Sequence, residues 1–133
     1  MHSSIYKFLK ENILLEDVKN KRVIEVGSLD IGITLAIPKG EVINSNYREE
    51  IKQFNPDMYI GVDLILGKNV DLICDIENLV RTFGSNSFDL VYSIEVLEHI
   101  KDWKLAVYNL KEICKENGII ILTTRSLGFP LHN

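Results

Sequence analysis

Gly27, Asp63, Asp75 and Ser93 are far apart in the chain, yet each directly follows an apolar, β-branched run: VIEV, MYIGV, VDLIC and FDLVY. Runs of that length and composition read as buried strands. If the strands lie parallel, the four residues collect along the rim at the strands' carboxyl ends, where open α/β sheets bind ligands. The residue types suit a flat, polar ligand. A glycine lets backbone approach closely, and an aspartate offers two acceptor oxygens to a vicinal diol such as a ribose. A second aspartate can accept from an exocyclic amine, while Leu64 and Ile76, next after the two aspartates, can sandwich a planar base. Each position alone is explained by an ordinary turn; together they point to an adenosine-containing ligand. Glu25, a carboxylate within an apolar strand, needs a partner, either N–H groups of the turn that follows or a cationic group of the ligand.

The elements that would carry these residues can be read from periodicity. Ser3 or Ser4 caps a first helix with Ile5, Phe8, Leu9 and Ile13 on one face, ending near Leu15. Core packing is the expectation for Tyr6 and Phe8. The polar link from Glu16 to Arg22 precedes the first strand, and Ile31 to Asn44, with Pro38 and Gly40, reads as loop. Asn46 and Glu49 have capping-box spacing before a short helix carrying Tyr47, Ile51 and Phe54, stopped by Asn55-Pro56. Strands follow at Met58 to Val62, Val70 to Cys74 and Phe88 to Tyr92, the last introduced by the turn-rich Gly84 to Ser87. A short helical run, Glu95 to Ile100, leads to Asp102. That aspartate caps the clearest helix, with Trp103 as a core anchor beside Ala106, Val107, Leu110, Ile113 and Cys114, closed by Asn117-Gly118 before a fifth strand from Ile119 to Thr124. Strands alternating with crossovers give one domain over residues 1–133, an α/β fold with a doubly wound parallel sheet.

Composition narrows the function classes. The chain has 133 residues, 46% hydrophobic and 26% charged, enough for one core. Its 15 basic and 19 acidic residues leave a net charge of -4, which argues against a broad phosphate-binding face and hence against nucleic acid as partner. Cys74 and Cys114 lack metal-ligand or CxxC spacing and read as buried free thiols. No metal site is expected. The chain shows neither a signal-peptide core nor a membrane-length apolar stretch, so the expectation is a cytoplasmic protein away from membranes.

The run VIEVGS, the strand end YIGVD, the segment VDLICDI, the stretch FDLVYSIEVLEHI, the strand GIIILTT and the closing TTRSLGFPLH together resemble class I S-adenosylmethionine-dependent methyltransferases of the type 11 kind. The resemblance runs from about Val23 to the end of the sequence. It implies a Rossmann-like sheet in the order 3-2-1-4-5 and S-adenosyl-L-methionine as cofactor. By the same resemblance Gly27 and Ser28 pass close to the methionine part, and Glu25 stabilises the loop or reaches the amino group through water. Asp63 holds the ribose hydroxyls with Leu64 beside it, Asp75 and Ile76 read the adenine, and Ser93 and Ile94 form the floor near the sulfonium. Relatives carry a second glycine where this chain has Leu29. They also continue with two more strands, so the resemblance implies a chain truncated after strand five. The edge at Ile119 to Thr124 is then expected to be covered by a homodimer partner or by a missing C-terminal segment.

For catalysis the weak candidates are Glu95 and His99, which at i,i+4 could share a helix face near a small-molecule acceptor of unidentified class. The leading reading is a methyltransferase. A second is a truncated or degenerate relative that binds cofactor or a partner chain without catalysis. A third, a nicotinamide-dependent oxidoreductase, lacks its G-x-G-x-x-G fingerprint, since Gly27 is followed by Leu29 and Gly32.

Overall fold

A computed structural model describes residues 3–30 and 47–124. The loop expected from Ile31 to Asn44, the cap at Asn46 and the closing segment after Thr124 lie outside the described residues.

Five parallel strands form one sheet in the order β3-β2-β1-β4-β5: β1 (Arg22–Val26), β2 (Met58–Asp63), β3 (Leu72–Ile73), β4 (Phe88–Ile94) and β5 (Cys114–Thr123). The doubly wound α/β expectation and its strand order are thus met. β1 is central because it is apolar on both faces, with Val23, Ile24 and Val26 all buried. Its alternation splits the core. Ile24 and Val26, with Val62 and Val91, pack under the helix α5 (Trp103–Ile113) through Ala106, Leu110 and Ile113. Val23, Leu90, Tyr92 and Ile121 pack on the other face, under α1 (Ser3–Asn12), α2 (Leu15–Val18) and α3 (Arg48–Gln53) through Leu9, Val18 and Ile51.

Several local expectations change. The polar link after α1 contains α2, held by the Asp17 carboxylate accepting from the Leu14 N–H at 2.8 Å. A turn of 3-10 helix (Ile76–Asn78) and α4 (Leu79–Phe83) fill the crossover between β3 and β4, where the sequence showed only a turn. Asp102 does cap α5, accepting from the Leu105 N–H at 3.1 Å. The helix ends at Ile113, however, and Asn117-Gly118 sits inside β5. There β4 advances from Phe88 to Leu90 while β5 advances from Cys114 to Ile119, and the surplus residues form a bulge with Asn117 at φ 66°. Trp103 is no core anchor: it shares the spacing of Ala106, Leu110 and Ile113 but stands in the first turn of α5 and is 53% exposed. Phe8 is likewise 41% exposed, because Leu9 takes the buried position on α1. Among the described residues β5 pairs only with β4, so its outer side is an open edge. No helix among them is long and apolar enough to cross a membrane.

Leu110 and Trp103 make a direct contrast on one helix. Leu110→Ala should cost about 2 to 5 kcal/mol through an unfilled cavity, and Trp103→Ala less than about 1 kcal/mol. Urea denaturation followed by circular dichroism measures both.

Candidate functional site

At the carboxyl ends of β1, β2 and β4 lies a cavity of about 480 Å³, lined by Val26, Gly27, Leu29, Asp63, Leu64, Cys74, Ile76, Ile94, Glu95, Val96, His99 and Ile100. That volume is within the range of small-molecule and cofactor sites. Leu29, Leu64, Ile76, Val96 and Ile100 give it apolar walls, and Asp63, Glu95 and His99 its ionisable groups.

The turn after β1 builds one wall. The carbonyl of Val62 accepts from the N–H groups of Gly27 at 2.8 Å and Ser28 at 3.0 Å, which folds the chain sharply against β2. Gly27 is at φ +81°, and a Cβ there would lie 2.2 Å from Cγ2 of Val96. Only glycine fits. Asp63 then braces the turn: its Oδ2 accepts from the Leu29 N–H at 3.0 Å and its Oδ1 from the Leu64 N–H at 2.7 Å. The carboxylate is thereby fixed at the cavity, and each oxygen keeps lone-pair capacity for a ligand hydroxyl. Leu29, where relatives were expected to carry a glycine, packs against Gly67, whose added Cβ would sit 2.4 Å from Leu29 Cδ1.

The remaining expected residues are distributed as follows. Leu64, Ile76 and Ile94 line the cavity with Gly27 and Asp63. Asp75, between the lining residues Cys74 and Ile76, accepts from the Glu77 N–H at 2.9 Å and so starts the 3-10 turn. Ser93 is buried behind the wall, donating to the Val26 carbonyl at 2.9 Å and tying the ends of β1 and β4 together. Ser28, 1% exposed, is tucked against Gly61, and its hydroxyl has no hydrogen-bond partner among the described residues. Glu95 and His99 both line the cavity, but not from one helix. Glu95 stands at φ 53°, its N–H donated to the backbone of Thr123, and only Leu97–His99 form a 3-10 turn. Val26, Leu29, Cys74, Val96 and Ile100 were not anticipated. The apolar positions of EVLEHI carried a signal for Val96 and Ile100, whereas nothing local marked Leu29.

Glu25 is not part of the cavity lining. It pairs laterally with Gly61 and Tyr92 and points to the face beneath α1 and α3, 4% exposed. Its Oε2 accepts from Tyr59 at 2.5 Å and Tyr92 at 3.1 Å, and the two phenol oxygens are 2.5 Å apart. Burial pushes the Glu25 carboxyl up to about 7, although both phenols and the Arg48 guanidinium favour its charged form. Burial also drives Tyr59 and Tyr92 well above the usual phenol range. Among the described residues no cluster of three or more His, Cys, Asp or Glu side chains could hold a metal ion. Cys74 and Cys114 are free and buried, as expected.

A family model described as "Methyltransferase domain" matches residues 43–122. No curated protein matches significantly. Among solved structures, an S-adenosylmethionine dependent methyltransferase from Mesorhizobium loti aligns with TM-score 0.67 at 14% identity, covering 92% of this chain and 53% of that one. A putative S-adenosylmethionine dependent methyltransferase from Listeria monocytogenes gives 0.63 at 14%, over 90% and 53%. The cyclase SpnF gives 0.66 at 17%, over 96% and 47%. The chain therefore spans about half the length of the solved structures it matches. At such identities the likeness is one of fold, and the cyclase among them means that fold alone does not set the reaction.

Two outcomes follow from this geometry. Gly27→Ala should lower stability by about 1 to 3 kcal/mol, and adding Val96→Ala should recover the steric part but not the part due to φ, as read by urea denaturation. Because the folded Glu25 carboxyl binds its proton more tightly than the unfolded one, stability should be full at acid pH and fall as pH rises through about 7. The loss between about pH 5 and about pH 8 is on the order of 2 to 3 kcal/mol. Glu25→Gln should remove that slope.

Proposed function

The chain belongs to the methyltransferase-domain family, and from that premise we propose that it binds S-adenosylmethionine at the carboxyl ends of its strands and transfers the methyl group to a small-molecule acceptor. The observation that carries this reading is the fixed Asp63 carboxylate facing the same apolar-walled cavity as Gly27. A ribose diol needs such a doubly accepting group, and a purine needs the walls that Leu64 and Ile76 offer. In this reading Asp75 and the backbone of Ile76 take the adenine edge. Gly27 and Ser28 run beside the methionine part, and Glu25 stabilises the turn from beneath or reaches the amino group through water. Ser93 holds the floor rigid from behind, and Ile94 forms its surface.

Bound S-adenosylmethionine supplies a methyl group on a sulfonium, open to in-line attack. The protein's part is then position and exclusion of water more than proton chemistry. His99, exposed at the cavity mouth, is placed to accept a proton from a protic acceptor, and Glu95 to hold a polar one. The alternative, a truncated or degenerate relative that binds cofactor or a partner chain without catalysis, is not favoured by the family match. The free side of β5 is where a second copy or further polypeptide would extend the sheet.

Calorimetric titration with S-adenosylhomocysteine tests the reading. Binding is expected for the wild type, and Asp63→Ala, which loses two charge-assisted contacts to the diol and the brace on Leu29, should weaken it roughly 10- to 100-fold. Absence of binding by the wild-type chain would overturn the assignment.

A further inference from the structure

We propose that Leu29 determines ligand specificity at this site. Its side chain, seated on Gly67, walls the cavity beside one oxygen of the Asp63 carboxylate, so that the site accepts a free ribose diol and refuses a substituent on the hydroxyl held there. The inference rests on the cofactor reading above and adds to it a residue that selects among nucleosides.

The two oxygens of Asp63 have different surroundings. Oδ2 accepts from the Leu29 N–H at 3.0 Å and Oδ1 from the Leu64 N–H at 2.7 Å, so a diol held by both oxygens has one hydroxyl beside Leu29 and the other beside Leu64. Both leucines line the cavity. They differ in their freedom to yield. Leu64 is 58% exposed at the head of the β2–β3 connection, and its side chain can turn toward solvent. Leu29 is half-buried, and its backbone is fastened on both sides. Before it, Ser28 donates to the Val62 carbonyl at 3.0 Å; after it, Asp30 donates to the Lys68 carbonyl at 3.0 Å and pairs through its carboxylate with Lys68 Nζ at 3.1 Å.

The Leu29 side chain is held as well. A Cβ on Gly67 would lie 2.4 Å from Leu29 Cδ1, and Gly67 itself does not line the cavity. Leu29 therefore stands between Gly67 and the cavity, with one methyl group in the space that glycine leaves free. It cannot retreat from a ligand without pressing into the β2–β3 connection. That connection is braced in turn: Val70 donates to the Gly67 carbonyl at 3.1 Å, and Arg48 to the Asn69 carbonyl at 3.0 Å. A packed aliphatic wall discriminates by size, and a single methylene in a fitted apolar pocket is worth about 10- to 200-fold.

The test is calorimetric titration with S-adenosylhomocysteine and with its two monomethyl ethers, methylated at the 2′ or the 3′ oxygen of the ribose. Each ether loses one hydroxyl donor to Asp63 and binds more weakly than the parent; the gap between the two ethers reads the crowding at each oxygen. In the wild type one ether should bind about tenfold more weakly than the other, or worse. Leu29→Ala should bring the two within about twofold, whereas Leu29→Met, which keeps the bulk, and Leu64→Ala should leave the gap in place. Gly67→Ala acts in the opposite direction. Its new methyl drives Leu29 Cδ1 into the cavity and should weaken S-adenosylhomocysteine itself about tenfold, and adding Leu29→Ala should restore the affinity. A purely structural role for the pair predicts instead that both substitutions weaken all three ligands alike and that the double variant binds worst. Equal affinities of the two ethers in the wild type, or a gap that survives Leu29→Ala, would overturn the selecting role while binding of S-adenosylhomocysteine keeps the cofactor reading intact. Failure of the parent compound to bind the wild type would remove both.

Discussion

One carbonyl oxygen, that of Val62, organises the end of the sheet. By accepting from both Gly27 and Ser28 it forces the chain leaving β1 to fold back against β2 instead of continuing as a strand. The turn then hands the next N–H, that of Leu29, to Asp63, the residue after Val62. Strand pairing, loop geometry and the orientation of the site carboxylate are therefore one hydrogen-bond system. The glycine is required by that system twice, through its φ and through the methyl group of Val96 pressed against it. A parallel sheet leaves backbone N–H groups unpaired where its strands end, and here the ends satisfy one another while leaving carboxylate lone pairs toward the cavity.

The two faces of the sheet are specialised. Under α5 the core is made of aliphatic side chains with Phe88 and two thiols, its main driving force the burial of apolar surface. Under α1 and α3 the face carries four tyrosines, Glu25 and a half-buried Arg48 that bonds Asp71 and the Asn69 carbonyl. Polar groups under a helix layer are costly unless mutually satisfied.

Much of this was legible in the sequence for a physical reason: a parallel sheet buries its strands on both faces, so VIEV, MYIGV and FDLVY stand out as apolar runs, and the residues ending them converge by topology alone. Asp63 and Gly27 were found that way. What stayed hidden depends on partners distant in sequence. Periodicity placed Trp103 on the apolar side of α5 with Ala106, Leu110 and Ile113, yet in the first turn of the helix its indole is left exposed. Asn117-Gly118 carries the signature of a helix end, but pairing with β4 captures those residues as a bulge first. Glu25 read as needing either N–H groups of the following turn or a cationic ligand group, because no local signal reveals Tyr59 and Tyr92, which lie 34 and 67 residues away.

Gly61 and Ser28 illustrate a further interdependence. A methyl group on Gly61 would fall 2.7 Å from the serine oxygen and 2.4 Å from the Asn69 carbonyl. The two positions thus share a single allotment of space, already full. During divergence neither can grow unless the other shrinks, and position 28 is already small while position 61 has nothing left to give. Drift at this spot is confined to swaps that preserve their summed bulk, which ties the composition of the first loop to that of the second strand.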